Sequence, residues 1–384
     1  MLTTDKDIIG LSKRVDEVIN KAIENNKIVG TVTLISKNGD LIYKRVAGYA
    51  DREEKIKMDQ DSIFRLASVT KPIVSAAALV LVSKEIIGLD DPITKWLPEF
   101  QPQLMNGDKP TITVRHLLTH TAGLTYGFLE SEEGGAYKKA RVSDGMNLSG
   151  ISLEENLQRL STVPLLYAPS TNWSYSIAVD VLGAVISKAY GDSLQTLIKT
   201  LITAPLKMVN TSFNVIDRQR IVTQYLSSSP IPKRMGDKEV AQVFKGTAGI
   251  VFEPARAFDT SAFPSGGSGM NGTAEDFLYF LEELRSGNSL LPNDIKNEMT
   301  KIQTGNLPLV GWPGRGFGLG FTILKDPKEA NTKESIGTWR LGGAYGHSWF
   351  VDPIEKLTVV SFTNTAFEGM DGQFTVDLTD AIYE

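Results

Sequence analysis

One segment constrains this chain more than any other. From Ser68 to about Glu85 the residues follow helical periodicity, yet Ala76, Ala77, Ala78, Leu79, Val80 and Leu81 make that helix apolar on nearly every side. A helix of this kind has no face for water and belongs in the middle of a large core. Ser68-Val69-Thr70-Lys71-Pro72 begins it. A lysine at the start of a buried helix is costly to keep without a task.

The rest of the chain must enclose that helix. Residues from about Lys6 to Asn25 read as an amphipathic helix, with Ile8, Leu11, Val15, Val18, Ile19, Ala22 and Ile23 at three- and four-residue spacing. Thr31–Ile35 and Leu41–Tyr43 flank Lys37-Asn38-Gly39-Asp40. Asn-Gly between two β-rich runs signals a hairpin, because that turn needs positive φ. Residues 90 to 300 read as mostly helical segments broken by Pro and Gly loops, clearest over Tyr175–Tyr190 and Ala274–Arg285. From Gly316 the texture becomes glycine-rich β, over Phe317–Ile323, Trp349–Val351 and Leu357–Thr363, and an amphipathic segment, Phe374–Tyr383, ends the chain.

The expected fold class is α+β. One central antiparallel sheet draws strands from both ends of the chain and carries flanking helices. Residues 1–60 and 305–384 then make a discontinuous α/β domain, residues 61–304 a mostly helical one, with a cleft between them.

Composition narrows the function. The 384 residues are 41% hydrophobic and carry a net charge of -5, with no basic cluster for a phosphate backbone. Absence of cysteine removes disulfides, thiolate metal sites and cysteine nucleophiles. No run of ~18 apolar residues is present to span a bilayer, and residues 1–7 show no basic-then-apolar leader pattern. The expectation is a cytoplasmic protein acting on a small molecule, without nucleic-acid or membrane partners; the oligomeric state is not legible.

Chemistry concentrates at three places. On a helix, residues three apart share a face, so Lys71 can reach the Ser68 hydroxyl. A serine becomes a nucleophile at neutral pH only beside a base, and a lysine can serve if burial lowers its pKa. The first-turn N–H of Ser68 is free for an oxyanion. About one or two Ser-x-x-Lys matches arise by chance in a chain this long, but this is the single instance here. The second place is Trp173-Ser174-Tyr175-Ser176, where a phenol at a loop-to-helix junction can exchange protons with a serine oxygen and a leaving group; the competing reading is an ordinary aromatic at a helix start. The third is Leu341-Gly342-Gly343-Ala344-Tyr345-Gly346-His347-Ser348-Trp349-Phe350. Glycine on a strand marks either close approach by a ligand or a bulge or turn.

Other candidates fit plainer roles. His116 and His120 are four apart, but Leu117 stands where a metalloprotease has its glutamate, so both read as structural. His347 fits a substrate contact or a hydrogen-bonded strand residue equally. No Gly-x-Ser-x-Gly elbow is present. Gly314–Gly320 lacks phosphate-loop spacing and reads as the start of a strand.

The order Ser-x-x-Lys, Tyr-Ser, then a glycine-rich β-segment resembles class C β-lactamases, D-alanyl-D-alanine peptidases and family VIII carboxylesterases. Supporting stretches are Phe64–Lys71, His116–Leu124, Tyr175-Ser176 with Asp180–Gly183, Gly266–Met270 and Gly343–Pro353. The resemblance implies the β-lactamase/transpeptidase-like fold. It makes Ser68 the nucleophile, with Lys71 and Tyr175 as its acid–base partners. It places the Lys-Thr-Gly motif of the family on Leu341-Gly342-Gly343 and the second oxyanion N–H on Ala344. It suggests substrate contacts at Tyr126, Asp180, Leu341, Gly342, Gly343, Tyr345, His347 and Trp349, with no metal and no cofactor.

Two departures set the expected specificity. The penicillin-active members carry Tyr-x-Asn, where this chain has Ile177, and their Lys-Thr pair holds a substrate carboxylate, where it has Leu341 and Gly342. Arg340, beside them, is a cation that could bend inward. Gly343–Pro353 looks most like the family VIII esterases and related acyltransferases. The expected activity is hydrolysis of small carboxylic esters through an acyl-serine. The alternatives are an acyltransferase, then a β-lactamase or D-alanyl peptidase, then a non-catalytic binding protein.

Overall fold

The computed structural model describes residues 5–215 and 217–384. Its main element is an eight-stranded, wholly antiparallel sheet with strands from both ends of the chain. In spatial order these are Arg315–Phe317, Thr322–Leu324, Trp339–Arg340, His347–Asp352, Leu357–Thr363, Gly30–Lys37, Asp40–Asp51 and Ile56–Lys57. Asn38 and Gly39 turn the first hairpin with φ of 55° and 96°, the backbone the dipeptide favours.

Side chains alternate across this sheet as strand geometry requires. Ile35, Tyr43, Phe350, Leu357 and Val359 meet the helices Asp5–Glu24 and Gln373–Tyr383 on one face. Val32, Leu34, Trp349, Val351, Val360 and Phe362 face the main core on the other. There the helix Ala274–Ser286 packs, with Phe277 against Trp349 and Phe362.

The Ser68 segment lies at the centre of that core. A single 3-10 turn, Ala67–Val69, leads into the helix Thr70–Ser83, buried from Thr70 through Leu81. The helix Ala178–Tyr190 packs against it, and the helix Val114–Thr119 packs in turn on Ala178–Tyr190.

Three expectations need correction. The described residues between 204 and 272 are not helical apart from a short turn at Pro254–Phe258; they pair in small sheets through Tyr225–Leu226, Lys233–Arg234, Glu239–Ala241, Ile250–Phe252 and Asn271–Gly272. The helix expected from Tyr175 starts at Ala178, because the backbone before it is already paired: Ser176 N–H donates to His120 Nδ1 and Ile177 N–H to the Thr125 carbonyl. The β-run expected over Phe317–Ile323 is two strands divided by a turn in which Gly318 N–H donates to the Phe321 carbonyl. No helix among the described residues is long and apolar enough to cross a membrane.

Candidate active site

From Ser62 to Leu81 every residue is buried except Ser68. Ala67, just before it, holds φ at +46°, a left-handed conformation that costs a non-glycine residue about 1 kcal/mol or more. Strain of this kind persists where surrounding packing over-determines it. Here it turns the chain from the strand Phe64–Arg65 into the serine helix and leaves Ser68 facing out.

Two side chains meet the Ser68 hydroxyl. Tyr175 Oη donates to Ser68 Oγ at 2.7 Å, and Lys71 Nζ lies 3.2 Å from the same oxygen. Lys71 is fully buried and also donates to the Gly267 carbonyl at 2.9 Å. Its Nζ sits 4.7 Å from the Tyr175 ring centre and 5.1 Å from that of Tyr126. Burial lowers the Lys71 pKa well below the usual lysine range, against the opposing pull of Asp180 and Asp144. Burial raises the Tyr175 phenol instead, despite its bond to Ser68. A lysine pushed toward the neutral amine beside a tyrosine held as the phenol is a base next to an acid.

Asp180 and Tyr126 form the layer behind this pair. Asp180 is fully buried; Ser265 and the Gly267 N–H face its carboxylate without closing a well-formed hydrogen bond. A Cβ on Gly267 would lie 2.5 Å from Asp180 Oδ2 and 2.8 Å from Tyr126 Oη, so only glycine fits between them. Burial raises the Asp180 carboxyl, and it raises Asp144 to about 7. His116 and His120 are both hydrogen-bonded within the fold. His116 closes a capping box with Thr113, and His120 Nδ1 pairs with Ser176 Oγ at 2.9 Å while its ring lies 5.0 Å from that of Tyr175.

Across from Ser68 stands the glycine-rich segment, which is a tight turn rather than a strand. Gly343 and His347 exchange backbone hydrogen bonds of 2.8 and 3.0 Å, and Gly346 takes φ of 117°. A Cβ on Gly343 would lie 2.6 Å from the Leu66 carbonyl, so the turn presses directly on the chain entering the serine helix. Among the described residues, neither the Ser68 N–H nor the Ala344 N–H donates to a protein acceptor.

Several expected substrate contacts lie elsewhere. Trp349 is 1% exposed and packs among Phe277, Phe321 and Trp339, because its strand position points to the core face. His347 is fully buried; Nε2 pairs with the Arg65 carbonyl at 2.8 Å, and its ring meets Phe64 and Phe362. Leu341 is buried, and a Cβ on Gly342 would strike Met370. Arg340 does not bend inward: it donates to Glu334 at 2.9 Å, a fully buried carboxylate that Arg315 also holds. Sequence reasoning missed Trp312, whose ring meets Tyr175 edge-on at 5.4 Å, and Asp144. No residue pattern marks either, since both reach the site from irregular loops.

Comparison with known proteins places the chain in a family. The β-lactamase family model matches residues 15–383. Esterase EstB of Burkholderia gladioli is 43% identical over 378 residues, covering 98% of this chain and 96% of that protein. The structure of EstCE1, described as a hydrolase with promiscuous acyltransferase activity, superposes with a TM-score of 0.94 at 39% identity, covering 99% of this chain and 100% of that one. Unliganded simvastatin synthase LovD from Aspergillus terreus shares the fold, with a TM-score of 0.75 at 22% identity over 99% of this chain and 98% of that one. The chain belongs to the β-lactamase family and stands among its carboxylesterases.

Proposed function

We propose that the protein hydrolyses small carboxylic esters through an acyl-Ser68 intermediate. The observation that carries this reading is the pair of contacts on Ser68 Oγ, 2.7 Å from Tyr175 and 3.2 Å from Lys71. The neutral Lys71 amine takes the Ser68 proton as Oγ bonds to the ester carbonyl carbon. The N–H groups of Ser68 and Ala344 hold the negative oxygen. The C–O bond to the alcohol breaks, and Tyr175 protonates the departing alkoxide, regaining its proton from Lys71. Water then attacks the acyl-serine by the reverse path, giving the acid and restoring Ser68. The domain reading is part of the same proposal: residues 1–60 and 305–384 supply Ala344, residues 61–304 supply Ser68, Lys71 and Tyr175, and the ester binds where they meet.

Removing one oxyanion donor typically costs ~100-fold or more in rate, and removing the nucleophile costs far more. Rates with p-nitrophenyl acetate and butyrate test the proposal in wild type and Ser68→Ala; equal rates in the two proteins would sink it. The promiscuous acyltransferase activity ascribed to EstCE1 supports a second reading, transfer of the same acyl group to an alcohol. Product analysis with added alcohols separates ester exchange from hydrolysis. We propose the cytoplasm as its default location, and cell fractionation tests that placement.

A further inference from the structure

A guanidinium is expensive to bury without a counter-charge, and two, Arg65 and Arg256, line one cavity. Arg65 ends the strand Phe64–Arg65, three residues before Ser68, and is 7% exposed. Its Nε donates to the Pro254 carbonyl at 2.8 Å and its Nη1 to the Val222 carbonyl at 2.9 Å. Arg256, in the turn Pro254–Phe258, donates through Nη2 to the Phe263 carbonyl, and its Nε is buried without a partner. Among the described residues, no carboxylate forms an ion pair with either; Tyr345 acts on both, and Asp180 and Asp259 act on Arg256 without contact.

Both guanidiniums line one small cavity of about 20 Å³, together with Tyr345, Glu253, Ser268 and Gly269. Three of its lining residues are close in sequence to residues of the active site. Arg65 leads into Ser68, Tyr345 follows Ala344, and Ser268 follows Gly267, whose carbonyl holds Lys71. The Tyr345 hydroxyl has no protein partner among the described residues; burial raises its pKa to about 12 and keeps it a neutral donor, against the opposing pull of Arg65 and Arg256. Glu253 is the single acid on this wall, and its Oε2 already accepts the Leu148 N–H at 2.6 Å. The lining therefore carries two fixed positive charges against one negative. No such charge stands at Leu341 or Gly342.

We propose that this cavity is an anion subsite of the active site, in which Arg65, Arg256 and the Tyr345 hydroxyl take a carboxylate carried by the ester substrate. The proposal rests on the ester-hydrolase reading above and names its substrate class: esters with a free carboxylate a short chain away from the scissile carbonyl. Arg65 is tied to two backbone carbonyls and sets the approach to Ser68, so Arg256 and Glu253 are the positions to change.

The test compares kcat/KM for mono-p-nitrophenyl glutarate with that for p-nitrophenyl butyrate, and for 4-(butyryloxy)benzoate with that for phenyl butyrate. The first pair puts the carboxylate on the acyl side and the second on the alcohol side. In at least one pair the anionic-to-neutral ratio falls about tenfold or more in Arg256→Gln. It recovers in part in Arg256→Lys, which restores the charge without the planar fork. It rises in Glu253→Gln. Added salt shrinks the wild-type ratio less than it would for an exposed charge. Ratios unchanged in both pairs by Arg256→Gln and by Glu253→Gln would overturn the subsite. Should Arg256→Gln fail to fold, Glu253→Gln decides by the sign of its change. Failure of the parent reading looks different: wild type would then cleave none of the four esters, or Ser68→Ala would cleave them equally well.

Discussion

The two sides of the site work by opposite means. On the serine side, three side chains carry the chemistry, and burial tunes them: it moves Lys71 down toward the neutral amine and keeps Tyr175 a phenol. On the facing side, Leu341 to Gly346 offers mainly backbone, an unpaired Ala344 N–H held in place by the Gly343–His347 pair. Side-chain chemistry demands particular residue types, whereas backbone geometry demands only that nothing intrude. The first side should therefore fail by substitution of function, and the second by steric intrusion.

The largest expected effect is on the serine side. Ser68→Ala should lower kcat/KM for p-nitrophenyl butyrate by about 10⁴-fold or more, and Tyr175→Phe by about 10²- to 10⁴-fold, with near-UV circular dichroism unchanged. Lys71→Arg should fall in the same range, since a guanidinium stays protonated at any working pH. Retention of half the activity by Lys71→Arg would show that Lys71 supplies only charge.

On the facing side, Gly343→Ala adds a methyl 2.6 Å from the Leu66 carbonyl. It should cost about 10²-fold in kcat, the scale of one lost oxyanion donor. Weakened substrate binding with kcat intact would contradict this, because an oxyanion donor acts in the transition state.

The pH profile refines the contrast further. Lys71 must be neutral to accept the Ser68 proton, so kcat/KM should fall as pH drops through its lowered pKa. Asp180 raises that pKa. Asp180→Asn should therefore move the acidic limb to lower pH, while Gly343→Ala should leave the limb where it is. A limb that moves up in Asp180→Asn would reverse the assigned sign.

Smaller still is the expected effect on β-lactams. With Leu341 and Gly342 in place of polar partners, nitrocefin should show a lower kcat/KM than p-nitrophenyl butyrate in the same buffer, since an unpaired buried carboxylate costs several kcal/mol. Equal values would mean that this turn does not set specificity.

The same contrast explains what can be read from the chain. Ser68, Lys71 and Tyr175 are legible because nucleophile, base and acid need those residue types, and the apolar helix after Ser68 fixes its own burial. The antiparallel sheet follows from the Asn38-Gly39 turn and the β-rich ends. The left-handed Ala67 is not legible, since nothing in an alanine announces strain imposed by its neighbours. Trp349 and His347 mislead for a related reason: a glycine-rich stretch that reads as one ligand-facing strand is a turn followed by a core strand, and its packing sends both side chains inward. Arg65 and Arg256 lie 191 positions apart by their numbers, and only folding brings them to one cavity.

The central claim is a covalent bond to Ser68 Oγ, and labelling with a fluorophosphonate followed by peptide mass analysis tests it most directly. The account predicts one adduct per chain, on the peptide that carries Ser68, lost in Ser68→Ala and slowed in Tyr175→Phe. An adduct on another serine, or an unlabelled Ser68 in folded protein that still cleaves p-nitrophenyl butyrate, would contradict it.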